Sequence, residues 1–429
     1  MLLLMATIAF WALFGFAAVN ALSTAFTLAA LIWHRSEESD DGMLPKVAVL
    51  MCLRGADPNL AGGLRRLMHQ RYPNYEIFIA VDSETDPAWD IVKQTISPES
   101  VLDATIDQPA ACTVHASTLR NRLTTCSLKC SSLVQLLDEI DDSFEVVVLA
   151  DSDLESHSSW LRELVAPLAD PTVGATFGNR WFLPTIGSMG SLVRQVCNGI
   201  GVVTMHLGQI PWGGSLAIRA SVVNQSGLRQ TLARSIVDDG PVRVAMKKQG
   251  LKLRFVPSLM MANREDCDLR FAHSFLTRQL KWTKTYMADW WPAMLMYTLG
   301  VLGTYIAAIV LSLACLQQGL RSEAFWFAAG AAVYSVTVMT LWLLLDLAAR
   351  RIIRAQGEST PNMLGPQLLK VPVAMLLSVF VHISAMIRAT FLRSVVWRGV
   401  TYEVHGPSDV QLLDDRMPEV SLETPNVSL

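Results

Sequence analysis

The stretch 144–153 reads FEVVVLADSD. Its apolar run carries no turn residue and predicts a buried strand that ends abruptly in Asp151-Ser152-Asp153. In open α/β sheets, ligands sit beyond the carboxyl ends of strands. Two carboxylates two residues apart at that point can share a divalent cation, a hard ion that prefers oxygen. They can equally cap the helix expected over 158–168. Asp82 stands in the same way after a second apolar strand, 75–81, with an S-E-T-D-P turn following. Asp238-Asp239 precede a helix expected over 241–248 and closed by Gly250. Its dipole favours carboxylates there. If Asp239 faces the cleft instead, it is placed as a general base: clustered like charges raise one carboxylate pKa, and a nearby metal opposes the rise.

Basic and aromatic groups complete the set. Lys129 precedes a helix expected over 130–139 and is either a solvated lysine or a phosphate contact. Arg278 and Lys281, at i and i+3 on a helix over 271–286, share a face. Two cations on one face suit a pyrophosphate or a lipid headgroup, and Trp282 either covers an acceptor or anchors at a membrane interface. Gly213-Gly214, in P-W-G-G-S, either let the backbone approach a ligand closely or mark an ordinary turn.

The elements that must position these residues alternate. Strands are expected at 46–53, 75–81, 144–150, 173–178 and 251–257, the last near an edge, and another near 101–106. Helices are expected over 59–70, 130–139 and 158–168. The segment 185–208 is apolar without a clear period. This alternation predicts an α/β domain with a mostly parallel sheet and helices on both faces.

Composition adds a membrane. The chain has 429 residues, 51% hydrophobic and 17% charged, a mixture expected of membrane spans joined to one soluble domain. Residues 1–33 carry no charge and exceed the ~20 needed to span a bilayer; they lack the basic start of a signal peptide. Arg35 after this helix favours a cytoplasmic exit. Residues 290–320 and 324–345 are two further spans, the second ending at Arg350-Arg351-Ile352-Ile353-Arg354. The segment 371–387 contains Pro372 and His382 and sits at the short limit of ~17 residues, so it either crosses or re-enters. The acidic stretch 410–429 reads as a disordered tail. A net charge of −3 gives no footprint for nucleic acid. Seven scattered cysteines without a C-x-x-C pair give neither a zinc site nor a disulfide framework and fit a reducing compartment. The spans 290–320 and 324–345 hold no acidic or basic side chain, which argues against a transporter.

Cys52-Leu53-Arg54-Gly55-Ala56-Asp57-Pro58-Asn59-Leu60, Tyr72-Pro73-Asn74-Tyr75-Glu76 and Asp86-Pro87-Ala88 resemble the N-terminal half of ceramide glucosyltransferases. Those enzymes belong to a large class with the GT-A nucleotide-sugar fold. Their pattern is three aspartate positions followed by (Q/R)-x-x-R-W. Asp82, Asp151 and Asp239 resemble the three aspartates, Arg278 to Trp282 the last motif, and Trp397-Arg398-Gly399 with Tyr402 the closing segment. Lys281 stands where the motif has arginine, keeping the charge without the planar fork.

The resemblance implies a GT-A (Rossmann-like) domain inserted between transmembrane helices: 1–34 a helix, 43–286 the cytosolic domain, 287–392 the membrane region, 393–429 a closing segment and tail. It implies a metal-dependent, inverting transferase that moves a hexose from a UDP-sugar to the hydroxyl of a membrane lipid, with UDP-glucose and ceramide as first choices. Asp82 would contact the uridine. Asp151 would bind the sugar diphosphate and, with Asp153, hold Mg²⁺ or Mn²⁺. Lys129, Arg278, Lys281 and Trp282 would line the donor site, Gly214 and Trp282 the acceptor side, and Asp239 would be the base. The rival readings are a UDP-GlcNAc or other UDP-sugar transferase acting on another lipid such as a hopanoid, a polysaccharide synthase, and a non-catalytic membrane homologue.

Overall fold

The computed structural model describes residues 1–34, 41–97, 112–361 and 366–415. Helix α1 (Leu2–Trp33) precedes a soluble domain of alternating elements. These are β1 (Val47–Leu53), α2 (Leu60–Met68), β2 (Tyr75–Val81), α3 (Pro87–Ile96), β3 (Thr113–Thr118), α4 (Leu128–Glu139), β4 (Val146–Ala150), α5 (Trp160–Val165) and β5 (Val173–Phe182). They continue as α6 (Met189–Gly208), β6 (Ser215–Arg219), α7 (Ala220–Gln225), α8 (Leu228–Leu232), α9 (Asp239–Gln249), β7 (Lys252–Asn263) and α10 (Leu269–Tyr286). Helices α11 (Trp291–Gln317), α12 (Arg321–Ala355) and α13 (Pro366–Phe391) follow, then a meander of β8 (Ser394–Trp397), β9 (Val400–Gly406) and β10 (Asp409–Asp415).

The main sheet has the order β3-β2-β1-β4-β6-β5-β7. Strands β1 to β4 are parallel, with Val47 opposite both Tyr75 and Val146. The chain therefore winds one way from β1 to β3 and resumes on the other side of β1 with β4. That reversal opens a crevice beyond the carboxyl ends of β1 and β4, where an open α/β sheet takes its ligand. Strand β6 is inverted: Ser215 opposes Ala150 and Arg219 opposes Val146. The Pro211-Trp212-Gly213-Gly214 turn thus enters the sheet at the crevice end. Strand β5 reverses again, and β7 runs parallel to it at the edge.

Strand β1 is buried on both faces, with Ala48 and Leu50 in one core and Val47, Val49 and Met51 in the other. The first core takes Leu133, Leu136 and Leu137 of α4, and the second Leu60, Leu64 and Leu67 of α2 and Trp160 of α5. Each such side chain taken out of water is worth ~1.5–3 kcal/mol, so both helical layers are held by burial.

The first core also receives the end of α12, through Leu345, Ala349, Ile352 and Ile353. Asp346 is fully buried there; it pairs with Arg350 and accepts from Trp181 Nε1 and Gln195 Nε2, each at 2.9 Å. Helix α12 is thereby keyed into β5 and α6. Among the described residues, α1, α11, α12 and the stretch Leu369–Phe391 of α13 are long and apolar enough to cross a membrane.

The expectation of a mostly parallel sheet holds, with one inverted strand: β6 starts at the crevice end and runs against β4 and β5. Several other expectations are corrected. The helix expected over 158–168 is the short α5 followed by a tight 3-10 turn, Ala166–Ala169, with Pro167 at its start. The unparsed stretch 185–208 contains α6, which meets the sheet core through Val202 and α13 through Leu192 and Val193. The acidic stretch 410–429 is not all tail, since β10 pairs with β9. The strand expected near 101–106 and residues 416–429 lie outside the described residues.

Candidate active site

The crevice holds a cavity of about 170 Å³ whose walls include Asp82, Lys129, Asp151, Asp153, Asp239, Arg278 and Trp282. A larger cavity, about 580 Å³, opens at the opposite end of the sheet among Glu145, Arg219 and Arg229. Its arginines are occupied by the fold: Arg219 Nε donates to Val173 O at 2.7 Å, and Arg229 pairs with Asp138 at 2.7 Å. The chemistry gathers in the smaller cavity.

Asp151 and Asp153 follow β4. Neither caps α5, whose N-cap Ser159 makes no side-chain cap bond. Lys129 lies inside the first turn of α4, which begins two residues earlier than its sequence suggests. Its Nζ stands 2.6 Å from Asp151 Oδ1 and 3.0 Å from Asp238 Oδ2. Burial alone would raise the Asp151 pKa, but the lysine holds it below the usual carboxylate range. Asp153 goes the other way: burial and the neighbouring Asp151 charge push it up to about 6, against the pull of Arg180. Asn263 Nδ2 lies 3.3 Å from Asp153 Oδ2.

Asp238 and Asp239 begin α9, yet Asp238 makes no side-chain cap bond. Asp239 Oδ2 accepts from Gly213 N at 3.3 Å. Burial, then the adjacent Asp238, push the Asp239 carboxyl up to about 7. The Gly213-Gly214 turn is pressed against these groups. A Cβ on Gly213 would collide with the Asp238 carboxylate, and one on Gly214 with the Trp212 ring and Asp151.

Asp82 is only 3% exposed. Its Oδ2 binds Arg54 Nη1 at 2.6 Å and Arg122 Nη2 at 2.9 Å, while Oδ1 has no hydrogen-bond partner among the described residues. Burial raises its pKa, and the two arginines oppose the rise. Trp212 Nε1 is another buried polar atom on the cavity wall without a hydrogen-bond partner among the described residues.

Arg278 and Lys281 do not converge. Arg278 lines the cavity with no hydrogen bond or ion pair among the described residues, its guanidinium 5.9 Å from the Phe275 ring centre. Burial, then Arg180 and Arg398, lower its pKa to about 10. Lys281 is buried and turned to the meander, where Nζ donates to Val404 O at 3.3 Å. Trp282, one turn after Arg278, does line the cavity.

Sequence reasoning did not assign Arg54, Asp238, Arg180 or Arg398 to this site. Arg398 comes from the far end of the chain. The β8–β9 turn is Arg398-Gly399, with φ of +48° and +78°, the left-handed pair of a two-residue hairpin turn. Its Nη2 lies 3.0 and 2.9 Å from the two Asp57 oxygens, and its carbonyl accepts from Arg54 Nε at 3.1 Å. Tyr402 fixes the hairpin by accepting from Leu128 N at 3.1 Å. The residue order Trp397-Arg398-Gly399 was the available signal, because glycine after a polar residue marks such a turn.

Asp151 and Asp153 fit a hard cation. They are two carboxylates whose mutual repulsion a cation would relieve, although among the described residues no third acidic, histidine or cysteine side chain completes a cage. A cation there would need oxygens from its ligand, the way magnesium is commonly held against phosphates.

A mixed α/β sheet with an acidic and arginine-rich crevice at its switch point, set among apolar helices, defines a GT-A-type domain in a membrane protein. The sequence model of glycosyl transferase family 21 matches residues 13–409, and the chain belongs to that family of glycosyltransferases. Among solved structures, it is similar to the mannosyltransferase PcManGT from Pyrobaculum calidifontis in complex with GDP-Man and Mn²⁺. That match has 16% identity and a TM-score of 0.48, over 91% of this chain and 99% of that one. It is also similar to glucosyl-3-phosphoglycerate synthase from Mycobacterium tuberculosis with Mn²⁺ and UDP-glucose. There the identity is 14% and the TM-score 0.35, over 58% of this chain and 85% of that one.

Proposed function

We propose that the protein transfers a hexose with inversion from a UDP-sugar, UDP-glucose first, to the hydroxyl of a membrane lipid, ceramide first. The observation that carries this reading is the half-buried Asp239 carboxyl, poised near neutrality, in the same cavity as the Asp151–Asp153 pair and as Arg278, which has no ion pair among the described residues. A single base and a donor diphosphate on opposite sides of one sugar carbon give direct displacement.

Asp239 takes the proton from the acceptor hydroxyl as the hydroxyl oxygen attacks the anomeric carbon. Gly213 N holds that carboxylate in place. The unpartnered Asp82 Oδ1 accepts from the imide N–H of uracil, so the buried acceptor is satisfied only with nucleotide bound. Arg278, Arg180 and Arg398 face the diphosphate, and their mutual repulsion is relieved by it. Lys129 keeps Asp151 ionised and ties it to Asp238. Asp151 and Asp153 would hold Mg²⁺ or Mn²⁺, which would offset the charge growing on the departing UDP. Trp212 Nε1 donates to a hydroxyl of the bound sugar or acceptor.

The test is UDP release by purified protein in detergent with Mn²⁺, offered UDP-glucose, UDP-GlcNAc or UDP-galactose, with and without ceramide. Release from one donor that rises with ceramide supports the full reading. Release indifferent to ceramide keeps the transferase and sends the acceptor search to other lipid hydroxyls. No release and no nucleotide binding overturns it.

A further inference from the structure

Helix α13 qualifies as a membrane crossing by length and composition, but both its ends lead back to one soluble domain. Before it, Gln356 Nε2 donates to Ser258 O at 2.6 Å. Glu358 pairs with Arg66, and with Arg264 at 2.8 Å. After it, Val404 N donates to Arg393 O at 2.8 Å, and Arg398 pairs with Asp57 at 2.9 Å. The eight residue steps from Glu358 to Pro366 reach at most ~29 Å fully extended, short of a hydrocarbon core ~30 Å thick. Only two residues, Leu392 and Arg393, separate Phe391 from β8. The chain has no room to cross beside α13 and return.

The packing along α13 agrees. Val371 meets Trp342 of α12, one turn before that helix enters the soluble core at Leu345. Ala374 and Val381 rest on Leu192 and Val193 of α6. Ala385, Met386 and Ala389 rest on Leu280 of α10 and on Trp291, the first residue of α11. Both ends of α13 therefore lie at the depth where other helices pass between the soluble domain and the membrane. Its opposite face is an apolar stripe at helical spacing, Leu369, Val373, Leu376, Phe380, Ile387 and Phe391, interrupted once by the exposed Ser384; its first residue is 82% and its last 78% exposed. Lys370 and Arg388 stand exposed towards its two ends.

We infer that α13 does not cross the bilayer: it lies along the membrane surface on the soluble domain's side and rests its outer stripe on the acyl–headgroup boundary of that leaflet. The crossings are then α1, α11 and α12, an odd number, so the two chain termini face opposite sides. The occupant of the stripe is lipid, because the face is continuous with the α11 crossing at Trp291 and is too apolar for water. Given the transferase reading, α10 joins this surface to the site: Leu280 packs on α13 while Arg278 and Trp282 line the cavity. The acceptor hydroxyl then enters from the leaflet that α13 covers.

The test uses the full chain with an epitope at each terminus, in sealed membrane vesicles of one orientation treated with protease. One epitope is expected to be lost and the other retained until detergent is added. Loss of both, or protection of both, makes the number of crossings even and overturns the inference. UDP release by the same vesicles is recorded separately, so failure of the topology and failure of the transferase reading are told apart.

Discussion

Lys129 Nζ stands 2.6 Å from Asp151 Oδ1, joining the first turn of α4 to the carboxyl end of β4. The same ammonium reaches Asp238 on α9 at 3.0 Å, so one cation braces three elements around the cavity. Removing it leaves the buried Asp238 and the half-buried Asp151 without their nearest cation, and breaking a buried pair costs ~3–5 kcal/mol. Lys129→Ala should therefore lower the melting temperature of the detergent-solubilised protein and reduce UDP release by about 100-fold. Unchanged melting and turnover would mean that the brace carries no weight.

Asp239 gives the pH dependence its sign. Its folded-state pKa is raised to about 7, chiefly by burial. A base must be ionised to work, so kcat/KM should climb about tenfold per pH unit below that value and level off above it. Asp239→Asn should lower kcat by about 10²–10⁴-fold, flatten this limb and leave donor binding, measured by calorimetry, within a few-fold. A variant that still turns over with the wild-type profile would remove Asp239 from the chemistry.

Asp153 predicts the behaviour of the metal. Protons and a cation compete for a carboxylate whose pKa is pushed up to about 6. Below that pH, the Mn²⁺ concentration for half-maximal activity should rise about tenfold per unit; above it, the value should be flat. Chelation should abolish UDP release, and Mn²⁺ should restore it. Activity that ignores both chelator and added metal would leave Asp151 and Asp153 as structural carboxylates.

What the sequence made legible was local. A buried strand ending in acid announces itself through composition, and Asp82 and Asp151 were found this way; Asp239 was read at the start of a helix. Strand direction is not written locally, so the inversion of β6 was invisible: a strand buried on both faces reads alike either way. Helix α6 lost its period because it is covered on more than one side, by the sheet at Val202 and by α13 at Leu192 and Val193. The meander was hidden by charge, since β10 alternates Val410 and Leu412 with polar residues inside an acidic stretch. Arg398 entered the site through a partnership spanning most of the chain, with Arg54 and Asp57, which no window on the sequence contains.

That partnership makes the meander testable. The two guanidinium ends of Arg398 hold two partners at once, Nη2 the Asp57 carboxylate and Nη1 the Arg54 carbonyl, with Ser152 Oγ 3.4 Å from Nη2. A lysine supplies charge but cannot make the paired contact. Arg398→Ala should raise the donor KM about 10–100-fold, and Arg398→Lys should recover only part of it. Equal rescue by lysine would reduce its role to charge alone.

Gly213 tests how tightly the turn is packed, without altering a charged side chain. Its amide donates to Asp239 Oδ2 at 3.3 Å, and the space where a side chain would stand is filled by the Asp238 carboxylate. That carboxylate cannot swing away freely, because Lys129 holds it from the other side. Gly213→Ala must therefore move either the turn, losing the hydrogen bond that positions the base, or Asp238, loosening the Lys129 brace. Both routes displace Asp239 from the acceptor hydroxyl, and a shift of about 1 Å in a reacting group costs about 100-fold in rate. The expected result is a fall in kcat of that order, with donor affinity changed less because Asp82 and Arg278 lie on other elements. If donor affinity falls as far as kcat, the Gly213 turn contacts the nucleotide sugar directly. If neither changes, Asp238 has room to yield, and the close packing of turn against α9 is not what holds the base.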